Sequence, residues 1–223
     1  MVFRKQKNFN AEKKLLVLDM DETLIHARQK KFTEEADFSF TLVEDNTTFY
    51  VKLRPGVRSF LENAANMFDV MIFTSSEKEY ADQIIDFLDP KGSLISRRAY
   101  RDSGKTPRDG YVKDLTVLEH DLAKVIIIDN DRHYFRLQKD NGIPIKAWYG
   151  DVPLDQELPL LLPFLAELVV AEDVRSVIAA KFGIACSNMG KSNNKKKTTS
   201  NATPSVVKPV ENPKSKGGKK NRR

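Results

Sequence analysis

Leu15-Leu16-Val17-Leu18-Asp19-Met20-Asp21-Glu22-Thr23-Leu24 decides how the rest of the chain is read. Four apolar residues in a row leave no face for water, so residues 15–18 are expected as a strand buried on both sides, and the run stops at Asp19. Two later runs have the same form. Val70-Met71-Ile72-Phe73 ends in Thr74-Ser75-Ser76, and Val125-Ile126-Ile127-Ile128 ends at Asp129. Between them, Val57, Phe60, Leu61, Ala64 and Phe68, then Tyr80, Ala81, Ile84, Ile85 and Leu88, recur near the i, i+3, i+4, i+7 spacing of amphipathic helices. Strands alternating with helices imply βαβ units, hence an α/β fold with a mainly parallel sheet covered on both faces.

Around this frame, Phe38, Phe40 and Leu42, then Phe49, Val51 and Leu53, alternate about Glu44-Asp45-Asn46 and predict a β-hairpin with one buried face. Arg54-Pro55-Gly56 punctuates the chain before the first helix. Residues 93–112 are polar and Arg-rich, with Gly104, Pro107 and Gly110, and read as a small irregular insertion in place of a full cap domain. A short helix is expected within 114–122 and a short strand over Ile145–Tyr149. Helices over 158–170 and 174–182 complete the ordered part.

The net charge of +6 is unevenly placed. Residues 187–223 carry eleven Lys or Arg against one acid and residues 1–14 five against one, so the middle of the chain is acidic. The expected organisation is a flexible basic N-terminus (1–12), one folded domain (13–183) and a disordered basic tail (184–223), whose Ser, Asn, Lys, Thr, Pro and Gly cannot offset their ordering entropy. The tail reads as a nuclear-localisation signal, a weak salt-sensitive nucleic-acid contact or a merely solubilising segment. Cys186 is the single cysteine, so neither an intrachain disulfide nor a cysteine-based metal site is available. No run of eighteen apolar residues and no secretory h-region is present. A soluble protein of the nucleus or cytoplasm is therefore expected, with no membrane contact. Oligomeric state is not written in the sequence.

Ligands of open α/β sheets bind beyond the carboxyl ends of the strands, so Asp19, Thr74 and Asp129 are expected to meet at one edge. Any one of them alone is weak evidence, because acids and threonines end strands and cap helices everywhere. Together they suit phosphate chemistry. Asp19 and Asp129 offer the hard oxygens that Mg2+ prefers, whereas His26, His120 and His133 are not spaced as a ligand set. An acidic pocket needs a cation to accept a phosphate. Lys113, in Tyr111-Val112-Lys113-Asp114, is the candidate, with a solvated lysine the equal alternative. Thr74, Ser75 and nearby amides could hold phosphoryl oxygens or could be an ordinary helix cap.

Val17-Leu18-Asp19-Met20-Asp21-Glu22-Thr23-Leu24 resembles the Asp-x-Asp-x-Thr signature of the haloacid dehalogenase-like phosphatases. Within them the chain is similar to the small phosphatases acting on the carboxyl-terminal domain of RNA polymerase II. The similarity extends through Arg54-Pro55-Gly56, Phe73-Thr74-Ser75-Ser76, Tyr80-Ala81-Asp82, Tyr111-Val112-Lys113-Asp114-Leu115, Ile128-Asp129-Asn130, Trp148-Tyr149 and Leu161-Leu162-Pro163-Phe164, over roughly residues 13–182. It implies a Rossmann-like three-layer fold. It also implies Asp19 as nucleophile, Asp21 as general acid and base, Thr74 and Lys113 as phosphate ligands, and Mg2+ held by Asp19, the Asp21 carbonyl, Asp129 and Asn130. Two departures stand out. Many relatives continue Asp-Asn-Ser-Pro, where this chain has Asp129-Asn130-Asp131-Arg132, which adds an acid and a cation near the metal position. Relatives that read proline carry an aromatic shortly after the first motif, where His26-Ala27-Arg28-Gln29 has none.

The reading is thus a magnesium-dependent phosphatase of phosphoserine or phosphothreonine in a protein, the polymerase tail or another phosphoprotein. A non-catalytic scaffold of the same fold is the main alternative. A small-metabolite phosphatase is another, disfavoured because a small insertion leaves the site open to bulky substrates. Arg97, Arg98 and Arg101 read either as ligands for acidic flanks of such a peptide or as a solvated loop.

Overall fold

The chain runs β1 (Leu15–Leu18), β2 (Ile25–Arg28), β3 (Phe38–Thr41), β4 (Thr48–Leu53), α1 (Val57–Met67), β5 (Asp69–Phe73), α2 (Lys78–Leu88), β6 (Arg97–Ala99), β7 (Val125–Asp129), β8 (Gly142–Pro144), α3 (Glu157–Val170) and α4 (Val174–Phe182). These elements come from a computed structural model, which describes residues 13–183 apart from Thr33. The basic N-terminus and tail expected from the sequence lie outside the described residues.

Five strands form a sheet in the order β6-β5-β1-β7-β8, and every pairing is parallel. The three apolar runs occupy its centre, as their lack of a polar face requires. Leu18 lies opposite both Ile72 and Ile128, so β1, β5 and β7 end level and deliver residues 19, 74 and 129 to one edge. Side chains alternate across the sheet. Leu16 and Leu18 join the cluster that buries the apolar stripes of α1 to α4, while Leu15 and Val17 join Met71, Phe73, Val125 and Ile127 on the other face. Each fully buried Leu or Ile contributes about 1.5–3 kcal/mol.

The fold class is as expected, but the covering layers differ in kind. All four α-helices contribute to the first cluster. On the second face Leu115, Leu118 and Phe135 do the covering, and the segment 114–122 forms 3-10 turns at Leu115–Leu118 and Leu122–Lys124 instead of one α-helix. The insertion at 93–112 is less irregular than its composition suggests, because Arg97–Ala99 adds β6 to the sheet edge. The strand expected over Ile145–Tyr149 falls earlier, at Gly142–Pro144. At Gly142 a Cβ would stand 2.1 Å from the Phe135 ring, so glycine lets the strand and the ring share that space.

The predicted hairpin pairs β3 with β4, and β2 adds a third strand on the other side of β4. This small antiparallel sheet is fastened to the domain by Arg54 at the end of β4. Gly56, at φ 77°, then makes the left-handed turn into α1.

Candidate active site

The first motif leaves β1 through a tight turn. The Asp19 amide still donates to Ile128 O (3.0 Å), continuing the ladder by one residue. The Met20 carbonyl then accepts from the amides of Thr23, Leu24 and Ile25 (3.3, 2.9 and 3.2 Å), with Glu22 in the left-handed region at φ 58°. Non-glycine residues pay a steric penalty there and persist where the surroundings hold them. Here the Trp148 amide donates to Glu22 O (2.9 Å), and Arg54 donates to Thr23 O (3.0 Å). The turn brings the Thr23 hydroxyl onto Asp19, donating to Oδ2 at 2.7 Å.

Asp19 takes its second contact from Lys113, whose Nζ donates to Asp19 Oδ1 (2.5 Å) and to Asp129 Oδ2 (2.7 Å). Lys113 is fully buried, which rules out the solvated-lysine reading. Burial opposes its charge, but the carboxylates of Asp19 and Asp129 outweigh burial and hold the ammonium above the usual lysine range. Its backbone is fixed by donation to Tyr134 O (2.8 Å), and the Tyr134 ring centroid lies 5.1 Å from the charge. Asp129 is also fully buried. Burial first, and then the nearby Asp19 charge, push its carboxyl well above the usual range, because one ammonium serves two carboxylates.

Asp21 faces the other way. Its Oδ1 accepts from Tyr80 Oη (2.7 Å) and its Oδ2 from Ser76 Oγ (2.8 Å). Burial raises its carboxyl to about 6, opposed by these two hydrogen bonds and assisted by the charge of Asp19. Tyr80 and Ser76 were given no role by the sequence reading. Ser76 sits two residues before the start of α2 and Tyr80 in its first turn, and only the fold brings them to Asp21.

Asn130 orients its amide nitrogen toward three oxygens, Thr23 Oγ1 (3.0 Å), Asp19 Oδ2 (3.1 Å) and Asp21 O (3.2 Å). A carboxylate, a main-chain carbonyl and a hydroxyl thus converge on one point beside Asp129. Asp131 does not join them. Its Oδ1 accepts the His133 amide (2.8 Å), capping the turn that follows β7, while its own amide donates to Asp129 Oδ1 (2.8 Å). Arg132 reaches the Phe182 carbonyl (3.3 Å). The Asp131-Arg132 departure therefore supplies a turn cap and a surface contact, and Asp131 adds no oxygen to those around the Asn130 amide.

Thr74 is fully buried at the end of β5, its amide donating to Ala99 O (3.0 Å) and its Oγ1 accepting the Ser76 amide (3.0 Å). Neither Thr74 nor Ser75 is the helix cap, since α2 begins at Lys78 with Glu77 as its N-cap. Ser75 lies in the same loop, its carbonyl accepting from Arg101 Nε (2.6 Å).

Of the three insertion arginines, Arg97 and Arg98 are committed to acids of the domain, and Arg101 lies exposed beside Ser75. Arg97 is buried, with Nη2 3.3 Å from Asp69 Oδ2 at the opposite end of the sheet. Arg98 donates to Asp82 (2.8 Å) and Asp86 (2.7 Å), and Arg101 to Glu77 (2.8 Å). Aromatics do reach the region after the first motif, from elsewhere in the chain. Phe32 and Tyr149 meet the His26 ring edge-on at 6.0 and 5.7 Å, with Arg28 stacked 3.7 Å over Phe32. Among the described residues, no helix is long and apolar enough to cross a membrane.

The family model for NLI interacting factor-like phosphatase matches residues 14–175, a span that contains the whole cluster at the ends of β1, β5 and β7. The chain belongs to this family. It is 42% identical over 178 residues to CTD small phosphatase-like protein 2 of Dictyostelium discoideum, covering 79% of this chain and 31% of that protein. To CTD small phosphatase-like protein 3 of Caenorhabditis elegans it is 41% identical, over 75% of this chain and 58% of the other. To CTD nuclear envelope phosphatase 1B of Danio rerio it is 38% identical, over 76% and 73%. The chain thus spans from 31% to 73% of the length of these relatives. The solved structure of Fcp1, described as an essential RNA polymerase II CTD phosphatase, shares the fold at a TM-score of 0.53 and 22% identity, over 73% of this chain and 49% of that one. The resemblance read from the motifs is borne out at the level of family and fold.

Proposed function

We propose that this protein is a magnesium-dependent serine/threonine phosphatase of phosphoproteins that works through a phosphoaspartyl intermediate on Asp19. The observation that carries the proposal is the buried Lys113 ammonium bridging Asp19 and Asp129 at the strand ends. A buried lysine fixed against a carboxylate whose other oxygen is held by Thr23 fits a nucleophile held and aimed, with a cation ready for the phosphoryl group.

The donor set fits Mg2+. Among the described residues no three His, Cys, Asp or Glu side chains form a ligand group. Asp19 and Asp129, with the Asp21 carbonyl and the Asn130 amide oxygen, would hold the ion through hard oxygens, as suits one that keeps waters and shares phosphate oxygens. The Asn130 nitrogen already draws on Asp19 Oδ2 and the Asp21 carbonyl, and turning the amide over presents its own oxygen to the same side. The raised Asp129 carboxyl agrees, since two buried carboxylates beside one ammonium are short of positive charge. When bound, the ion neutralises phosphoryl oxygens and the charge that develops on them.

In the first step an Asp19 oxygen bonds to phosphorus in line as the bond to the seryl or threonyl oxygen breaks, and Asp21 gives that oxygen a proton. In the second, Asp21 takes a proton from water as the water oxygen attacks phosphorus and Asp19 departs as carboxylate. A carboxyl raised to about 6 suits a group that must both give and take a proton near neutrality. Lys113 and Thr74 stabilise the phosphoryl oxygens, with Ser75 beside them. Protein substrates are favoured because the described residues carry only the small sheet and the 100–112 loop near the site, with no cap domain.

Hydrolysis of a phosphoserine peptide and of p-nitrophenyl phosphate, with magnesium and with chelator, tests the reading. Turnover that needs magnesium and disappears in Asp19→Asn is expected. Equal turnover in chelator, or in the variant, would refute it.

A further inference from the structure

Tyr80 is held from two directions. Its hydroxyl donates to Asp21 Oδ1 at 2.7 Å, while its ring lies edge-on to Phe49 (4.9 Å, 71°) and tilted against Phe40 (5.6 Å, 57°). Those two rings belong to β4 and β3 and stack on each other at 5.6 Å. Phe38, the next inward-facing residue of β3, stacks on Phe87 of α2 at 3.9 Å. The hairpin and α2 therefore form one aromatic block, and the hydroxyl of its Tyr80 rests on Asp21. Ser76 holds the other oxygen of the same carboxylate.

We infer that Tyr80 is a positioning residue for Asp21, and that the β3–β4 hairpin sets the position of Tyr80. The inference rests on the phosphatase reading, in which Asp21 protonates the leaving oxygen. A carboxylic acid is effective in that role only when its oxygen lies within hydrogen-bond reach of the departing atom. The carboxylate of Asp21 rotates about its own side chain, and two donors, one on each oxygen, fix its plane. Tyr80 and Ser76 are both hydroxyls, able to donate to the carboxylate and to accept from the carboxylic acid, so each stays bonded in either protonation state. The positioning is thus kept through both half-reactions. Phe40 and Phe49 prevent the phenol from swinging away, as edge-to-face contacts hold rings in defined orientations.

The leaving group separates this role from simple support of the fold. An alkoxide leaving from phosphoserine needs a proton, whereas p-nitrophenolate leaves without one. The value of kcat/KM covers steps up to formation of the phosphoenzyme, so it reads Asp21 as an acid and not as the later base. Tyr80→Phe keeps the ring and its packing. It is expected to lower kcat/KM for a phosphoserine peptide at least tenfold more than for p-nitrophenyl phosphate, with magnesium binding and the melting temperature retained. Phe49→Leu is expected to show the same selectivity with a smaller ratio. In an Asp21→Asn background, adding Tyr80→Phe should change kcat/KM for the peptide less than twofold, because nothing is left to position.

Equal losses on the two substrates, or a Tyr80→Phe effect that persists in Asp21→Asn, would overturn the inference. Failure of the phosphatase reading looks different, since wild-type protein would then turn over neither substrate. If Tyr80→Phe does not fold, Ser76→Ala replaces it as the probe of the same carboxylate, with the same expected selectivity and the same refuting results.

Discussion

Arg54→Met removes a buried cation that makes four hydrogen bonds. The guanidinium donates to Asp155 Oδ1 (2.7 Å) and Oδ2 (3.1 Å), to Thr23 O (3.0 Å) and to Lys146 O (2.8 Å), and the side chain is fully buried. One residue thus ties the end of β4 to the first-motif turn, to the loop after β8 and to the start of α3. Methionine fills most of the space without forming any of these bonds. It leaves the Asp155 carboxylate, 9% exposed, with the Glu157 amide at 3.2 Å. Summing four charge-assisted hydrogen bonds would overstate the loss, because water reaches some of the freed groups. Breaking one partner of a buried pair costs about 3–5 kcal/mol. For a domain of this size each kcal/mol lowers the melting temperature by about 2–4 °C, so a fall of about 6–20 °C is expected. The acid dependence carries a second sign. Burial acts to raise the Asp155 carboxyl, but the bonds from Arg54 prevail and hold it below its ordinary value. Its stabilising contribution is therefore full at neutral pH and is lost as pH falls through the folded value. In Arg54→Met that loss on acidification should vanish. Urea unfolding at neutral and acid pH, on wild type, Arg54→Met and Arg54→Met with Asp155→Leu, measures all of this. A cost under about 1 kcal/mol, or a double variant less stable than the single one, would refute the reasoning, since removing the stranded carboxylate should recover part of the loss.

Lys113→Met leaves Asp19 and Asp129 facing each other without their shared cation, so phosphatase turnover is expected to fall at least a thousandfold even where circular dichroism still reports a folded domain. Asp114, with Lys105, Thr116 and Gln138 bonded to it, is held at about 2 although burial acts to raise it. Its contribution to stability is present above the ordinary aspartate value and is lost as pH falls toward 2, so Asp114→Asn should flatten the acid limb of the urea midpoint below about pH 4. Asp131 acts as a turn cap, so Asp131→Ser should keep turnover within about twofold, while Asp131→Ala should cost about 1 kcal/mol of stability by thermal melting. Arg98 is committed to Asp82 and Asp86, and Arg98→Ala is expected to leave KM unchanged for phosphopeptides with acidic flanks; a rise of fivefold would return it to the binding surface.

The strands that carry Asp19, Thr74 and Asp129 were legible because a parallel sheet buried on both faces demands unbroken apolar runs, and few other structures do. β6 was hidden by its composition. Two of its three residues are arginines, which read as a loop until Asp69, Asp82 and Asp86 are seen to neutralise them. β8, at Gly142–Pro144, was missed because a glycine and a proline hide it from local propensity, while its pairing with β7 and the close approach of the Phe135 ring to Gly142 are tertiary.

Within the site, Asp19 and Asp129 announced themselves by where their strands stop. Lys113 was legible only as a candidate with a solvated lysine as the equal alternative, because most lysines are solvated and its burial depends on two carboxylates that lie 94 and 16 residues away. Tyr80 and Ser76 were invisible for the same reason, as their partner Asp21 is 59 and 55 residues distant. Asp131 was legible only as an added acid beside Asp129, and the hydrogen bond it accepts from the His133 amide, which makes it a turn cap, depends on the loop geometry.

The central claim is that phosphate passes through Asp19. Asp21→Asn, mixed with radiolabelled p-nitrophenyl phosphate and magnesium and then quenched in acid, tests it most directly, because the first step needs little acid help with this leaving group while the second lacks its base. The account predicts stoichiometric label on the protein, mapped to Asp19 by borohydride reduction of the acyl phosphate to homoserine. Turnover of substrate by the wild type, with no label trapped at Asp19 in the variant, would contradict it.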